Sequence, residues 1–403
     1  MSNYLKDNFW NEDTKCIDGA KLWSALQSHI EKEELIVSLG KGDREGLVLV
    51  TYSKIYQYDH YAVPWDPLVL NCRGIIFDAT ENYKIVALPF AKFFNYGEGN
   101  QHYPAEGATL EAVYEKVDGS LGICFYWHSK WHITTRGSLN SDIGNEAQKM
   151  LDELISSIGH PPSTQEHAYT YLFEIVYPGN RVCVDYKGAR KLVYLGARKT
   201  ANGQCLYGCE WLLVSTCLFF IPRNAEPAAY YTLYTLEAVQ EFLVDKRGQD
   251  FEGFVLQYSD GLMFKTKGAD YNCLHRIISK ISFKKVFEAL QEGTPEAIRQ
   301  LISDDLIDPE ELIQVVESYK VRIQDHINKI INRVELVVRQ APMDSRKEFA
   351  LWLKMYHKGS DVIKYAFRFV DLNYNKEELY TSILRSLDHS DFAIVEKAKD
   401  LDG

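Results

Sequence analysis

A lysine, a valine and an Asp-Gly pair, Lys116-Val117-Asp118-Gly119, stand between two runs of strand-forming residues. Alone this is a hairpin turn, because Asp-Gly is favoured turn chemistry and Lys116 would then be a solvated strand residue. Other residues give it company. Glu174 lies inside an otherwise apolar run, TYLFEIVY, where an ionised carboxylate is costly unless it is paired or coordinates a cation. Glu252 opens a second such run, Glu252-Gly253-Phe254-Val255. Phe264-Lys265-Thr266-Lys267 sets two lysines two residues apart, which on a strand project from one face and suit a polyanion. The same pair alone could equally guard an exposed sheet edge. Upstream, Arg73 (NCRGIIFD) and Lys92 (AKFFN) add two cations among apolar strand residues. Phe93, Phe94 and Tyr96 beside Lys92 read as partly core, with one of them able to stack on a substrate.

The elements that must position these residues read as α+β. β-Branched and aromatic runs between Gly, Asn, Asp and Pro clusters predict strands at Val48–Tyr52, Gly74–Phe77, Ile85–Pro89, Glu111–Lys116, Leu121–Trp127, Tyr169–Val176, Lys191–Ala197 and Gly253–Gln257. Helical spacing appears at Ala20–Ile30, Asn145–Ile155 and Leu236–Val244. After Cys273 the period changes for good. Leu274, Ile277, Ile278 and Ile281 start a helical texture, Thr294–Pro295 and Asp308–Pro309 open further helices, and Arg346–His357, Val362–Leu372 and Lys376–Leu387 complete it. Two domains are expected, a catalytic one over 1–272 and an all-helical one over 273–403.

Composition narrows the function classes. The 403 residues carry 45 Lys+Arg against 56 Asp+Glu, a net charge of -11, which excludes a polybasic nucleic-acid coat. Residues 272–403 hold 20 Lys+Arg and 22 Asp+Glu, leaving 25 against 34 for residues 1–271. The more acidic part therefore carries the cation motifs, and any anion it binds must rely on a few focused cations. Trp211–Pro222, the longest apolar stretch, is too short to cross a bilayer, and MSNYLKDNFW lacks the layout of a signal peptide. A cytoplasmic protein with its eight cysteines as free thiols is expected. Cys205 and Cys209 have metal-like spacing, but no second Cys or His pair follows at zinc-finger distance.

In order and spacing these motifs resemble those of ATP-dependent RNA ligases of the covalent nucleotidyltransferase superfamily. Lys116–Gly119 matches motif I, Thr135-Arg136-Gly137-Ser138 motif Ia and Phe173-Glu174 motif III. Leu192–Arg198 (LVYLGAR) matches motif IIIa, Glu252–Val255 motif IV and Lys265–Lys267 motif V. CRGIIFD, AKFFN, KVDGSL, Asn180-Arg181-Val182 and FKTK are similar to the bacteriophage tRNA-repair type, the RNA ligase 1 family, over about residues 45–275. The resemblance implies an adenylyltransferase domain of antiparallel sheets with flanking helices, followed by a helical domain for RNA-substrate specificity.

It further implies that Lys116 attacks ATP to form a lysine-N-AMP adduct, with Asp118, Gly119, Arg136, Lys265 and Lys267 as the other catalytic residues. Such an amine must be neutral, so its pKa should be depressed by nearby cations or a metal. Tyr52, Arg73, Lys92, Phe94, Glu174, Leu195, Glu252, Val255, Lys265 and Lys267 would bind the cofactor, ATP. Leu195 and Val255 would sandwich the adenine, and Tyr271 matches a position used with the RNA. Glu174 and Glu252, through water, and Asp118 would bind Mg²⁺, with Mn²⁺ as an alternative. Two departures stand out. Arg136 replaces the lysine of the best-known phage relative at motif Ia, and Thr294–Glu296 occupies the place of the family's metal-binding aspartate in the helical domain.

The expected activity is joining of RNA 5′-phosphate and 3′-hydroxyl ends, in RNA or tRNA repair. A nicked tRNA is one implied substrate and an end-healing kinase or phosphatase an implied partner, for a monomer in the cytoplasm of a host cell if phage-encoded. Rival readings are an ATP-dependent DNA ligase or a capping-type nucleotidyltransferase, whose motif V leads into an OB-fold barrel rather than helices, and a catalytically silent RNA-binding relative. Residues 201–250 have no assigned role.

Overall fold

The computed structural model describes residues 3–59, 65–97, 103–157, 164–207, 225–280, 283–292, 309–341, 345–356 and 362–387. They fall into two compact units, residues 1–276 and 277–393. The expected helix start at Thr294–Pro295, the Thr294–Glu296 segment and Cys209 lie outside the described residues.

The first unit is layered. Strands Leu35–Leu39, Leu47–Tyr52, Arg73–Asp78 and Lys84–Ala87 form an antiparallel sheet in chain order. Every residue of Leu47–Tyr52 is buried because the strand is covered on both faces. Val48 and Val50 point to a core shared with Leu22 and Leu26 of helix Gly19–Glu31. Leu47 and Leu49 point the other way, onto Leu121, Ile123, Phe125 and Leu172 of a second sheet. That sheet runs Lys130–Thr135, Ser120–Trp127, Tyr169–Val176, Lys191–Lys199, Cys205–Tyr207. Its outer face packs on helix Asp142–Ser157 through Ile143, Ala147, Met150 and Leu151, the spacing that puts apolar side chains on one helix stripe. A third sheet orders Tyr230–Tyr231, Leu110–Lys116, Gly253–Tyr258, Met263–Lys267 and Phe94–Asn95, and buries Val113, Phe254, Leu256 and Phe264 under helix Leu236–Val244. Pairing is antiparallel except at two short edges, Phe94–Asn95 beside Met263–Lys267 and Glu226–Pro227 beside Lys191–Lys199. The α+β class thus holds, with parallel additions at the rims.

Helix Pro309–Gln340 organises the second unit. Ile323, Ile327, Ile331, Val334, Val337 and Val338 bury against Phe349, Leu353, Tyr365, Phe369, Leu379 and Ile383 of helices Arg346–Tyr356, Val362–Asp371 and Lys376–Ser386. No helix among the described residues is long and apolar enough to cross a membrane.

One core residue sets an acid limit. His132 is 2% exposed, lies over Phe125 with ring centroids 5.5 Å apart, and its Nδ1 has no partner. Burial first, then the Arg44 charge, pushes its pKa down to about 4 from 6.5. The folded state therefore binds this proton less readily than the unfolded chain. The stability it contributes is complete above pH 6.5 and is lost as pH falls toward 4, by about 3 kcal/mol in total. His132→Phe should lessen the fall of the urea midpoint between pH 7 and pH 5; parallel declines in variant and wild type would exclude this source.

Candidate active site

Strand register assembles the site. Lys116 pairs with Gly253, and Gly253 with Lys267; one step along, Tyr114 pairs with Val255, and Val255 with Lys265. Because strand side chains alternate, Tyr114, Lys116, Val255, Lys265 and Lys267 share one face of the third sheet and line one pocket. Gly253 leaves this row without a side chain: a Cβ there would lie 2.0 Å from the Thr266 carbonyl oxygen. Glu252, just before it, reaches both lysines.

The facing wall comes from the second sheet. Leu121 pairs with Glu174, and both line the pocket. The register between Tyr169–Val176 and Lys191–Lys199 shifts at Leu172/Phe173, so that Gly196 and Tyr194 find partners and Leu195 does not. The bulge frees Leu195 from the strand alternation, and its half-buried side chain also lines the pocket. Gly119 lets the Lys116–Gly119 turn pass over this wall, since a Cβ there would meet the Ile175 carbonyl oxygen at 2.6 Å.

Charge is organised around Glu252, which is 2% exposed. Lys116 Nζ donates to its Oε2 at 2.8 Å, and Lys267 Nζ lies 3.1 Å from Oε1. Burial alone would raise the Glu252 pKa; Lys116 and Lys267 outweigh it and hold the carboxyl below its usual range. The expected depression of Lys116 is not what the structure has. Burial pulls its pKa down, but Glu252 and Glu174 outweigh burial, and the net direction is upward. Lys265 is the depressed amine: burial, then Lys92, Lys116, Arg73 and Lys267, hold it well below the lysine range. The nucleophile candidate is thus stored as an ammonium ion paired with a carboxylate, two strands over and one row of the same face away from the cation-crowded amine.

Asp118, expected at a ribose or metal, has its carboxylate filled by the protein. Oδ2 accepts from the backbone N–H groups of Cys183 and Val184, both at 2.7 Å, and Oδ1 accepts from the Tyr271 hydroxyl at 2.9 Å. Among the described residues no three His, Cys, Asp or Glu side chains gather as a metal cage. The pocket also holds the carboxylates of Glu174 and Glu252, oxygen donors of the kind a hydrated divalent ion takes, and of these Glu252 is already engaged by Lys116 and Lys267.

Of the expected residues, Arg73, Lys116, Asp118, Gly119, Glu174, Leu195, Glu252, Val255, Lys265, Lys267 and Tyr271 come together in this pocket. Tyr52, Lys92, Phe94 and Arg136 do not line it. They form a neighbouring cluster in which Arg136 Nη1 donates to the Tyr52 hydroxyl at 2.5 Å and Lys92 Nζ stands over the Tyr52 and Phe94 rings. Phe94 is therefore core rather than a pocket surface. Phe93, its neighbour, is the ring in the pocket, with the Arg73 guanidinium and the Lys265 ammonium each 5.5 Å from its centroid. Sequence reasoning missed Tyr186, whose hydroxyl accepts the Asp118 N–H at 2.8 Å, and His275, which stacks on Tyr271. It also missed Phe90 and Tyr207, which meet at 5.0 Å in the apolar lining. An aromatic placed just past the expected strand Ile85–Pro89, two residues before Lys92, was the available signal for Phe90.

Residues 71–271, half of the chain, match the family model described as RNA ligase. The chain belongs to the RNA ligase family. An RNA ligase of Rhodothermus phage RM378 is 24% identical over 83% of this chain and 89% of its own length. RNA ligase 1 of bacteriophage TS2126 is 30% identical, over 36% of this chain and 38% of its own. The solved structure of an archaeal ATP-dependent RNA ligase superposes with a TM-score of 0.44 at 16% identity, over 77% of this chain and 79% of that one. All the pocket residues that carry charge, Arg73 through Lys267, fall inside the segment that makes this chain a ligase by family.

Proposed function

We propose that this ligase joins RNA 5′-phosphate and 3′-hydroxyl ends at the expense of ATP, through an AMP adduct on Lys116. The observation that carries the reading is the row Lys116–Gly253–Lys267 closed by Glu252, with Lys265 and Arg73 beside it in one pocket of an RNA ligase chain. In the first step Lys116 Nζ, having lost a proton, forms a bond to the α-phosphorus, and the bond to the bridging oxygen breaks to release pyrophosphate. In the second an oxygen of the RNA 5′-phosphate attacks the same phosphorus, and the P–N bond to Lys116 breaks. In the third the 3′-hydroxyl attacks the activated 5′-phosphate and AMP leaves. Arg73 and Lys267 supply positive charge where phosphate charge builds, the contribution that dominates phosphoryl-type transfer, and Lys265, the depressed amine, is drawn back toward its charged form by the phosphate. Leu195 and Val255 face each other's sheets across the pocket as the base-binding pair. A divalent ion, Mg²⁺ or Mn²⁺, held through water by Glu174 and Glu252 would supply further charge neutralisation when bound.

The Lys116 ammonium must be freed from Glu252 before it can attack. Glu252→Gln removes the largest charge that raises the amine's pKa. The alkaline rise of the adenylylation rate should therefore begin at lower pH in the variant, although the maximum falls with the lost pairing. A profile reduced in height but unmoved along the pH axis would contradict this role for Glu252.

The helical region, 273–403, is read as the part that selects the RNA, with a nicked tRNA as its substrate, ends prepared by a separate kinase or phosphatase, and a monomer acting in the cytoplasm. Labelled ATP with Mg²⁺, denaturing electrophoresis, and then 5′-phosphorylated RNA test the whole sequence of steps. A labelled protein band that chases into joined RNA, in preference to nicked DNA, is expected; no band, or a band with GTP but not ATP, would overturn the assignment.

A further inference from the structure

Lys92 stands apart from the pocket, enclosed by aromatic rings. Its Nζ is 4.9 Å from the Trp65 ring centroid and 5.2 Å from those of Tyr52 and Phe94. An ammonium within about 6 Å of a ring face is attracted by the ring's negative quadrupole, and indole gives the strongest such face. Lysine otherwise spreads its charge over many rotamers. The cage is rigidly built. Trp65 packs edge-on against Tyr52 and Tyr56, each at 5.0 Å, and against Phe94 at 5.8 Å. Asp66, next in the chain, caps helix Pro67–Asn71 by accepting the Leu68 N–H at 2.7 Å, and the Lys92 backbone N–H donates to Leu70 O at 2.8 Å at the end of that helix. Trp65 and Lys92 are thus fastened to opposite ends of one short helix. Lys92 is the chain neighbour of Phe93, the pocket ring that lies 5.5 Å from Lys265 Nζ, and among the cations that crowd Lys265 its charge weighs most, so the fixed charge is felt inside the pocket.

We propose that Trp65 is a positioning residue: its indole face, closing the Tyr52–Phe94 cage, holds the Lys92 ammonium where it meets the polyphosphate of the nucleotide substrate. The inference rests on the ligase reading above and adds a residue to it. Its signature is a step-specific defect. Adenylylation by ATP needs the polyphosphate grip, whereas sealing of RNA that already carries a 5′-adenylyl group does not, because pyrophosphate has left.

The test uses the full chain with Trp65→Leu, Trp65→Phe and a tetrafluorinated tryptophan inserted at position 65, which keeps the indole shape and removes its negative face. With Trp65→Leu, the KM for ATP in adduct formation should rise roughly tenfold while the maximal rate changes little. Trp65→Phe should restore most of the affinity, the fluorinated residue should behave like leucine, and all three should seal pre-adenylylated RNA like wild type. An unchanged KM in the fluorinated protein would overturn the proposal, including the case where the leucine variant fails to fold. So would a parallel loss in both assays, which would mean general damage to the fold. Absence of any adduct in the wild-type protein would instead strike the ligase reading itself.

Discussion

Lys116→Ala is expected to remove the labelled AMP adduct altogether, a fall of at least about a thousandfold in adenylylation, because a covalent nucleophile has no substitute within reach. The obvious understudy is Lys267, which already shares Glu252 with Lys116. It rises two strands away across Gly253, however, and although both Nζ atoms reach Glu252 Oε1, at 2.8 and 3.1 Å, they come to it from different strands, whereas in-line attack on one bound phosphorus admits one direction of approach. Lys265, whose amine is the depressed one, belongs to the neighbouring row opposite Val255 and Tyr114. Lys116→Arg separates charge from chemistry. Guanidinium keeps the ion pair with Glu252 but does not give up its proton in a protein, so this variant should also form no adduct while keeping the thermal midpoint of wild type. Both variants should still seal pre-adenylylated RNA to within about tenfold, since the lysine's covalent work is then over. An adduct that survives Lys116→Ala would move the nucleophile elsewhere and dissolve the proposed mechanism.

The parts of this site that were legible in the sequence are those that one strand's alternation decides. Lys265 and Lys267 share a face because they are two residues apart, and Glu174 is conspicuous as the one carboxylate in Tyr169–Val176. That strand and helix Leu236–Val244 were predicted residue for residue, since an uninterrupted aromatic and β-branched run, and a Thr235 cap before an apolar stripe, leave little choice. Strand Lys130–Thr135 was missed because the hairpin joining it to Ser120–Trp127 turns on His128 and Ser129, both at positive φ, in place of the Asn-Gly or Asp-Gly that announces such a turn. Leu35–Leu39 was missed because it is only half covered and has a serine among its apolar residues. What no local pattern could disclose is pairing between distant segments. The exchange of roles between Phe93 and Phe94 follows from which ring the third sheet's edge turns inward, and the raised pKa of Lys116 follows from Glu252 arriving 136 residues later. The nucleophile's charge state is a property of the assembled sheet, and motif I by itself carries no information about it.

Asp118→Ala should be the most damaging change at a residue whose carboxylate is taken up by the protein's own donors. Its carboxylate, 5% exposed, accepts two backbone N–H bonds and the Tyr271 hydroxyl, and its own N–H donates to Tyr186. Truncation strands two buried amides and a phenol without the acceptor they were built around. Hydrogen bonds to a charged group are worth more than neutral ones, and buried donors left unpaired cost their full desolvation, so a loss of about 3 kcal/mol is expected. In a unit of this size that lowers the melting temperature by roughly 5 °C. The functional loss should exceed the thermal one, because the same carboxylate fixes the turn that follows Lys116. Released from Cys183, Val184 and Tyr271, the Lys116–Gly119 turn can swing, and adduct formation should drop at least about a hundredfold even well below the new melting temperature. Asp118→Asn discriminates the causes. Its amide oxygen can keep one donor, but its NH₂ must confront others, so it should stay folded and remain impaired. Tyr271→Phe removes one bond only and should be milder. If Tyr271 acts through Asp118, its loss should add nothing in the Asp118→Ala background, and fully additive losses of adduct formation would separate the two residues.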